Sequence, residues 1–466
     1  MKKNLFEKKL KVVNVGMTSF AQALEDNSVP TVRVNFTPPI STDASAWSAV
    51  NRNMPKIRSA NEKALKRIQE AQPFLVGMGL AIEKIPGMKK NLILHAGPPV
   101  SWEKMCGPMK GGVIAALMYE GLASKEKDAE KLAASGKIKF EPCHDHSCVG
   151  PMAGIISASM PVFIVKNKKF GNFSYATMNE GLGKVLRYGA YSPDVIERLK
   201  WMESTLYPVL KKAVEYLGEI DLKSMVAQAL HMGDEVHNRN RGGTSLLYRT
   251  LAPAIIKTSS AEDAYACLEF INKNDHFFLN LSMAMSKASL DPAAGIKNSS
   301  LVYVMARNGT EFGVKVSSMG SKWFTGPAPV PDALFFAGYG KQDANPDIGD
   351  SAITETNGLG GFAIASAPAI VQFVGGKASD SLKYTVKMYS ITCGENLVYR
   401  IPALDFRGTP TGIDLLKVLK TGIMPFIDTG VAHKKPGVGQ IGAGVVAAPK
   451  EPFLAAFMAF VEKLGK

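Results

Sequence analysis

The feature that most constrains this chain is a strand–helix–strand rhythm near its start. Residues 10–16 (Leu-Lys-Val-Val-Asn-Val-Gly) read as a buried strand ending at a glycine. A short helix is expected next, then a second strand at 31–35 (Thr-Val-Arg-Val-Asn). Residues 56–71 read as an amphipathic helix, with Ile57, Ala60, Ala64, Leu65 and Ile68 on one face. Apolar segments at 74–77 and 91–95 extend the alternation. Alternating strands and helices cover both faces of a parallel sheet, so residues 1–105 are expected to form a Rossmann-like α/β unit. A dinucleotide is not expected there. Val15-Gly16 leads into Met17-Thr18-Ser19-Phe20 instead of G-x-G-x-x-G, and Asn35 stands where an acid would hold a ribose. A G-x-G-x-x-G match at 437–442 follows His433-Lys434-Lys435-Pro436 and enters a strand-like run, which is the wrong context.

A chain of 466 residues exceeds what one hydrophobic core organises, so further domains must follow. The expected fold class is multidomain α/β. Residues 106–190 read as an α/β domain, 191–295 as a helical subdomain and 296–466 as a C-terminal α/β domain. In the helical part Asp221 is the expected cap of a helix carrying Leu222, Met225, Val226, Ala229 and Leu230. Later helices are expected at about 244–257, 261–273 and 275–289. Asn308-Gly309 between two apolar runs predicts a β-hairpin. A helix at 451–464 closes the chain.

The formal net charge is +14, but the basic residues are dispersed, and no basic stripe interleaves with aromatics. That weighs against nucleic acid and fits small anions, an acidic protein or a solvated basic surface with no specific partner. The uncharged stretch from Thr356 to Gly376 is mostly Gly, Ala and Ser, which favours a buried segment over a membrane span. Cys106, Cys143, Cys148, Cys267 and Cys393 are an odd number, so reduced thiols are expected. The first residues run into Glu7-Lys8-Lys9 and not an apolar core, so a cytoplasmic location is expected.

Two polar clusters could carry chemistry. Pro142-Cys143-His144-Asp145-His146-Ser147-Cys148 has a metal-like composition. Neighbours in one turn rarely reach one ion, so His144 and His146 are read as proton-transfer groups, with no metal and no cofactor expected. Residues 233–245 hold Asp234, Glu235, His237, Arg239, Arg241, Gly242, Gly243 and Thr244 at a helix start. Glycines let backbone N–H groups approach an anion, and a helix N-terminus favours negative charge. An ionised hydrogen bond contributes about 1.5–3 kcal/mol against roughly 0.3–1 for a helix dipole, so arginines would dominate such a site. Asp347, Asp350 and Glu355 crowd one loop and could bind a hard cation or orient basic residues. His276 opens an apolar helix and reads as a core histidine. Arg407 lies in a polar loop after an expected strand. Neither a G-x-S-x-G elbow nor a P-loop is present.

Several longer blocks occur in order: C-G-P-M-K-G from Cys106, P-C-H-D-H from Pro142, N-E-G-L-G-K-V-L-R-Y-G from Asn179, H-N-R-N-R-G-G-T-S from His237, N-D-H-F-F-L-N-L from Asn274, M-A-R-N-G-T-E-F-G from Met305, D-I-G-D-S-A-I-T-E-T from Asp347 and P-A-L-D-F-R-G-T-P-T-G-I-D from Pro402. Together they resemble the YlbE-like family, over residues 10–446. That family includes the AllG-type subunit of oxamate carbamoyltransferase, an enzyme of anaerobic allantoin breakdown. The resemblance implies phosphorolysis of oxalurate to oxamate and carbamoyl phosphate, with FdrA-like and AllH-like subunits as partners. Self-association is also expected.

That chemistry needs cationic donors for a carboxylate and a phosphate, for which Arg239, Arg241, Arg307 and Arg407 are the candidates. The carbamoyl oxygen needs fixed donors, such as N–H groups near Gly242. The departing oxamate nitrogen needs a proton, from His237, His144 or His146. Two rival expectations stand beside this one: a non-catalytic partner of an FdrA-like subunit, and a metal-dependent amidohydrolase at the His144–His146 loop.

Overall fold

In a computed structural model, residues 10–34, 38–370 and 377–465 are described. Asn35 and residues 371–376, including Gln372, lie outside them. The strands Val12–Val15 and Thr31–Val34 pair in parallel, joined by the helix Thr18–Asp26, as the opening rhythm predicts. This small unit leaves Val13, Val15, Met17, Phe20 and Val32 more than half exposed.

The later strands do not join it. Pro73–Leu80 sits in a four-stranded antiparallel sheet, between Pro161–Asn167 and Ile220–Asp221, with Phe173–Thr177 at the outer edge. Leu92–His95 pairs in parallel with Lys139–Pro142 in a separate sheet. The reason lies in the intervening helix. It begins at Ala44 and runs 27 residues to Glu70, through Pro55, so it carries the chain about 40 Å away. Asp43 caps it, its side chain accepting from the N–H groups of Ser45 and Ala46. Ala46, Val50 and Ile57 enter one core, whereas Ala60, Ala64 and Ile68 enter another. A helix shared between two cores cannot also be the crossover of one parallel sheet. The chain is a mixed α/β fold with several small sheets, and among the described residues its parallel strand pairs are Val12–Val15 with Thr31–Val34 and Leu92–His95 with Lys139–Pro142.

The helical part matches expectation closely. Asp221 caps Leu222–His231 by accepting from Ser224 N. The helices Arg241–Thr258, Ala261–Asn272 and Leu279–Leu290 follow. The last begins later than its apolar pattern predicts, because Asn274 folds its side chain back onto His276 N and holds a turn there. All twelve of its residues are buried, Lys287 among them.

Beyond it, Val302–Asn308 and Glu311–Val316 form the expected antiparallel hairpin, with Gly309 at φ +79°. Another hairpin, Phe426–Ala432 with Gln440–Ala447, places the G-x-G-x-x-G match in its turn and first residues. Ile353–Thr356 is a single buried turn, followed by the short turns Gly360–Phe362, Ile364–Ser366 and Pro368–Ile370. Among the described residues no helix is long and apolar enough to cross a membrane. The chain ends in the helix Lys450–Leu464.

Candidate functional site

The loop from Gly233 to Asn240 links two helices and is clamped by its own acids. Asp234 Oδ1 accepts from Val236 N at 2.8 Å, and its Oδ2 accepts from Gly243 N at 2.8 Å. Glu235 accepts from the N–H groups of His237, Asn238 and Arg239 at 3.1, 2.8 and 2.7 Å. The clamp holds Val236, a β-branched residue, at φ +59°. Such a conformation costs on the order of 1–3 kcal/mol and persists only where its surroundings enforce it. Burial pushes the Asp234 carboxyl up to about 7, and burial together with Asp428 lifts Glu235 well above the usual carboxylate range.

His237 emerges from this clamp fully buried. Its Nδ1 lies 2.7 Å from Glu355 Oε1 and 3.0 Å from Asp428 Oδ1. Glu355 is itself fixed, by Gly361 N at 2.9 Å on Oε1 and the Thr354 hydroxyl at 3.0 Å on Oε2. A Cβ at Gly360 would lie 2.3 Å from Glu355 Oε1 and 3.0 Å from His237 Cβ, so glycine is required there. Burial opposes charge on the imidazole, but Glu355 and Asp428 outweigh it and raise the His237 pKa to about 9. Burial raises Glu355.

The residues after His237 wall a cavity of about 490 Å³, which Asn238, Arg239, Asn240 and Arg241 share with His276 and Gln440. Four buried polar atoms on this wall lack a hydrogen-bond partner: Asn238 Nδ2, Arg239 Nε, Asn240 Oδ1 and His276 Nδ1. A buried donor left unpaired costs about 1–3 kcal/mol, so this convergence is expensive unless a ligand meets it. Burial and the nearby Arg187 hold His276 down at about 3, so its imidazole is neutral. Arg241 stands at the mouth, 3.6 Å from Asp275 and largely exposed.

The remaining sequence-predicted residues fall elsewhere. The N–H of Gly243 is taken by Asp234, and a Cβ at Gly243 would come within 2.4 Å of the Phe278 ring. Gly242 packs on Asp234, and the Thr244 hydroxyl bridges Asp275 O and Phe278 N. Close packing therefore accounts for Gly242-Gly243-Thr244, and the backbone cradle expected there is filled by the chain's own carboxylate. Arg307 is wholly buried in a bidentate pair with Asp347, at 2.6 and 3.0 Å, and also donates to Gly349 O and Thr429. Its charge is already met. Arg407 is a surface residue paired with Glu395 and stacked 3.6 Å from the Tyr389 ring.

His144 borders a different cavity, of about 440 Å³, with Asp145, Lys287 and Lys315. Burial, then the two lysines, hold it well below its usual pKa, and neither ring nitrogen has a hydrogen-bond partner. His146 is tied at both nitrogens, to Pro86 O at 2.7 Å and Glu141 Oε2 at 2.6 Å. The two histidines of this loop thus differ: His146 is bonded at both nitrogens and His144 at neither. All five cysteines are free thiols.

Sequence reasoning missed Asp428 altogether and took His276 for a core residue. The N-D-H block beside a helix start was the available signal for His276. Asp428 carried none, since nothing local marks an acid inside an apolar strand.

Residues 138–351 match the family described as "Oxamate carbamoyltransferase subunit AllG". The AllG protein of Escherichia coli K12 is 43% identical over 413 residues, covering 88% of this chain and 99% of that protein. The chain belongs to the AllG family. Another relative of this AllG-family chain is the uncharacterized protein YahG of Escherichia coli K12, 48% identical over 471 residues and the full length of both. A crystal structure of a conserved protein of unknown function from Enterococcus faecalis V583 superposes with a TM-score of 0.87. It is 49% identical and covers 88% of this chain and 98% of that one. The span matching the AllG description carries His237 and Arg239 and stops just short of Glu355.

Proposed function

We propose that this chain is a subunit of an oxamate carbamoyltransferase-like complex and that the Arg239 cavity receives its anionic substrates. Family membership supports the complex. The observation that carries the site is the set of unpaired polar atoms on Asn238, Arg239, Asn240 and His276.

In the reaction, a phosphate oxygen bonds to the carbamoyl carbon of oxalurate. The bond from that carbon to the oxamate nitrogen breaks, and the nitrogen takes a proton. Arg239 holds the oxalurate carboxylate with paired N–H donors, while Arg241 at the mouth attracts phosphate. The amide of Asn238 faces the carbamoyl oxygen as charge develops on it. His237, next in the chain to this wall and with its ring oriented by Glu355, supplies the proton. FdrA-like and AllH-like subunits complete the assembly.

The test is carbamoyl phosphate release from oxalurate and phosphate, with the chain alone and then with its partner subunits. Activity that requires this chain and falls at least about 100-fold in Arg239→Ala, with assembly intact, supports the reading. Full activity in Arg239→Ala places the chemistry on another subunit. No product from oxalurate in any combination ends the carbamoyltransfer reading.

A further inference from the structure

We propose that His237, Glu355 and Asp428 form a binding site for a divalent first-row transition metal, Mn²⁺ or Zn²⁺. The site stands independently of the oxalurate reading and holds whatever the substrate is.

The first argument is geometric. The His237, Glu355 and Asp428 donor atoms lie within 4.8 Å of one another, on a loop, a helical turn and a strand. Ligands about 2.1 Å from an octahedral ion are about 3.0 Å apart along each edge. The separations of 2.7 and 3.0 Å from His237 Nδ1 are close to such edges.

Proton accounting makes the second argument. His237 Nδ1 has at most one hydrogen, and the 2.7 Å bond to Glu355 Oε1 uses it. Asp428, fully buried and 3.0 Å from the same nitrogen, does not share that hydrogen, and the other side chains against its carboxylate are the acids Glu355 and Glu235, with no further N–H donor. One imidazole faces two buried carboxylates, so the enclosed Asp428 calls for a further positive centre. Among the described residues, the ion pairs of Glu355 and Asp428 are both with His237. A dication placed between the three side chains satisfies Asp428 and balances the excess of acid.

Donor type selects the metal. One imidazole and two carboxylates suit Mn²⁺ and Zn²⁺, whereas Mg²⁺ and Ca²⁺ prefer oxygen alone and soft ions prefer thiolate. The supporting groups are in place, because Gly361 N and the Thr354 hydroxyl hold Glu355 in the orientation a ligand requires.

The test strips the full-length chain with chelator and titrates it with Mn²⁺ and with Zn²⁺ by calorimetry, with bound metal counted by mass spectrometry. The expected result is about one equivalent of one of these ions. Binding should weaken at least 100-fold in Asp428→Asn and in Glu355→Gln and persist in His144→Ala. Failure of the wild-type chain to bind either ion, or full binding in both acid variants, overturns the proposal. Should a variant fail to fold, Co²⁺ replaces it as a probe of the wild-type chain. Nitrogen and oxygen ligation gives ligand-field bands without thiolate charge transfer, whereas a thiolate band moves the site to the cysteines and refutes the assignment.

Discussion

Arg239→Met separates a ligand-binding arginine from a structural one, because the two roles predict opposite changes in stability. In the free chain Arg239 Nε is buried and has no hydrogen-bond partner. That arrangement costs about 1–3 kcal/mol, and methionine removes the donor while keeping an aliphatic stem. The free variant should therefore be as stable as the parent or more stable by about 1 kcal/mol, a rise of roughly 1–2 °C in Tm for so large a chain. Binding should change the other way. Two ionised hydrogen bonds to a carboxylate, at about 1.5–3 kcal/mol each, amount to roughly a 10²–10⁴-fold loss of affinity. Thermal unfolding with and without oxamate reads both effects. At a hundredfold excess over Kd the parent gains about 2.7 kcal/mol, and the variant should gain at most about 0.4 kcal/mol at the same concentration. A free variant destabilised by more than about 2 kcal/mol, or one with an unchanged oxamate shift, would refute the reasoning.

Other substitutions test the structural assignments. Asp347→Ala strands the buried Arg307 guanidinium, so urea unfolding should show a loss of about 3–5 kcal/mol, largely recovered in the apolar double variant Arg307→Met/Asp347→Leu. A loss under 1 kcal/mol in the single variant contradicts the assignment. Gly243→Ala drives a Cβ into the Phe278 ring and should cost roughly 1–3 kcal/mol while oxamate binding survives. Lost binding at unchanged stability would restore the backbone cradle. Burial holds Asp350 up at about 7, so between pH 4 and 7 the unfolded chain releases a proton that the folded chain keeps. Stability should fall as pH rises through that window, by on the order of 4 kcal/mol from this group, and level off above it. Asp350→Asn should lessen that pH dependence, and an identical slope in the variant rules the carboxyl out as its source.

What the sequence made legible was local. Asn308-Gly309 needs only its own backbone to define a turn, and Asp221 reaches a donor three residues ahead. Apolar periodicity located the helices for the same reason. Strand partnership was not legible, because Pro73–Leu80 has an apolar pattern equally suited to a parallel or an antiparallel neighbour. The 27-residue helix before it decides the matter, and its first turn precedes the stretch whose periodicity is strongest. The acid-rich loop at 347–356 was read as able to orient basic residues, and it does, with Asp347 on Arg307 and Glu355 on His237. Which acid meets which base depends on contacts 40 and 118 residues apart, which no local pattern encodes.

The loop from Asp234 to Arg241 also shows why a motif's composition misassigns its parts. Glycines beside arginines at a helix start suggest that backbone N–H groups receive the anion. Here those groups have an internal use: Asp234 takes Val236 N and Gly243 N, and Glu235 takes His237 N, Asn238 N and Arg239 N. With the backbone pinned by its own carboxylates, the groups left for recognition are the side chains of Asn238, Arg239 and Asn240, each of which lines the cavity and keeps one buried polar atom unpaired. Such a wall is rigid before a ligand arrives, so less ordering entropy is lost on binding than in a mobile loop. Loosening the clamp without touching the wall, as Glu235→Gln does, should therefore weaken anion binding even though Glu235 touches no ligand. That coupling distinguishes a preorganised wall from a chance grouping of polar residues.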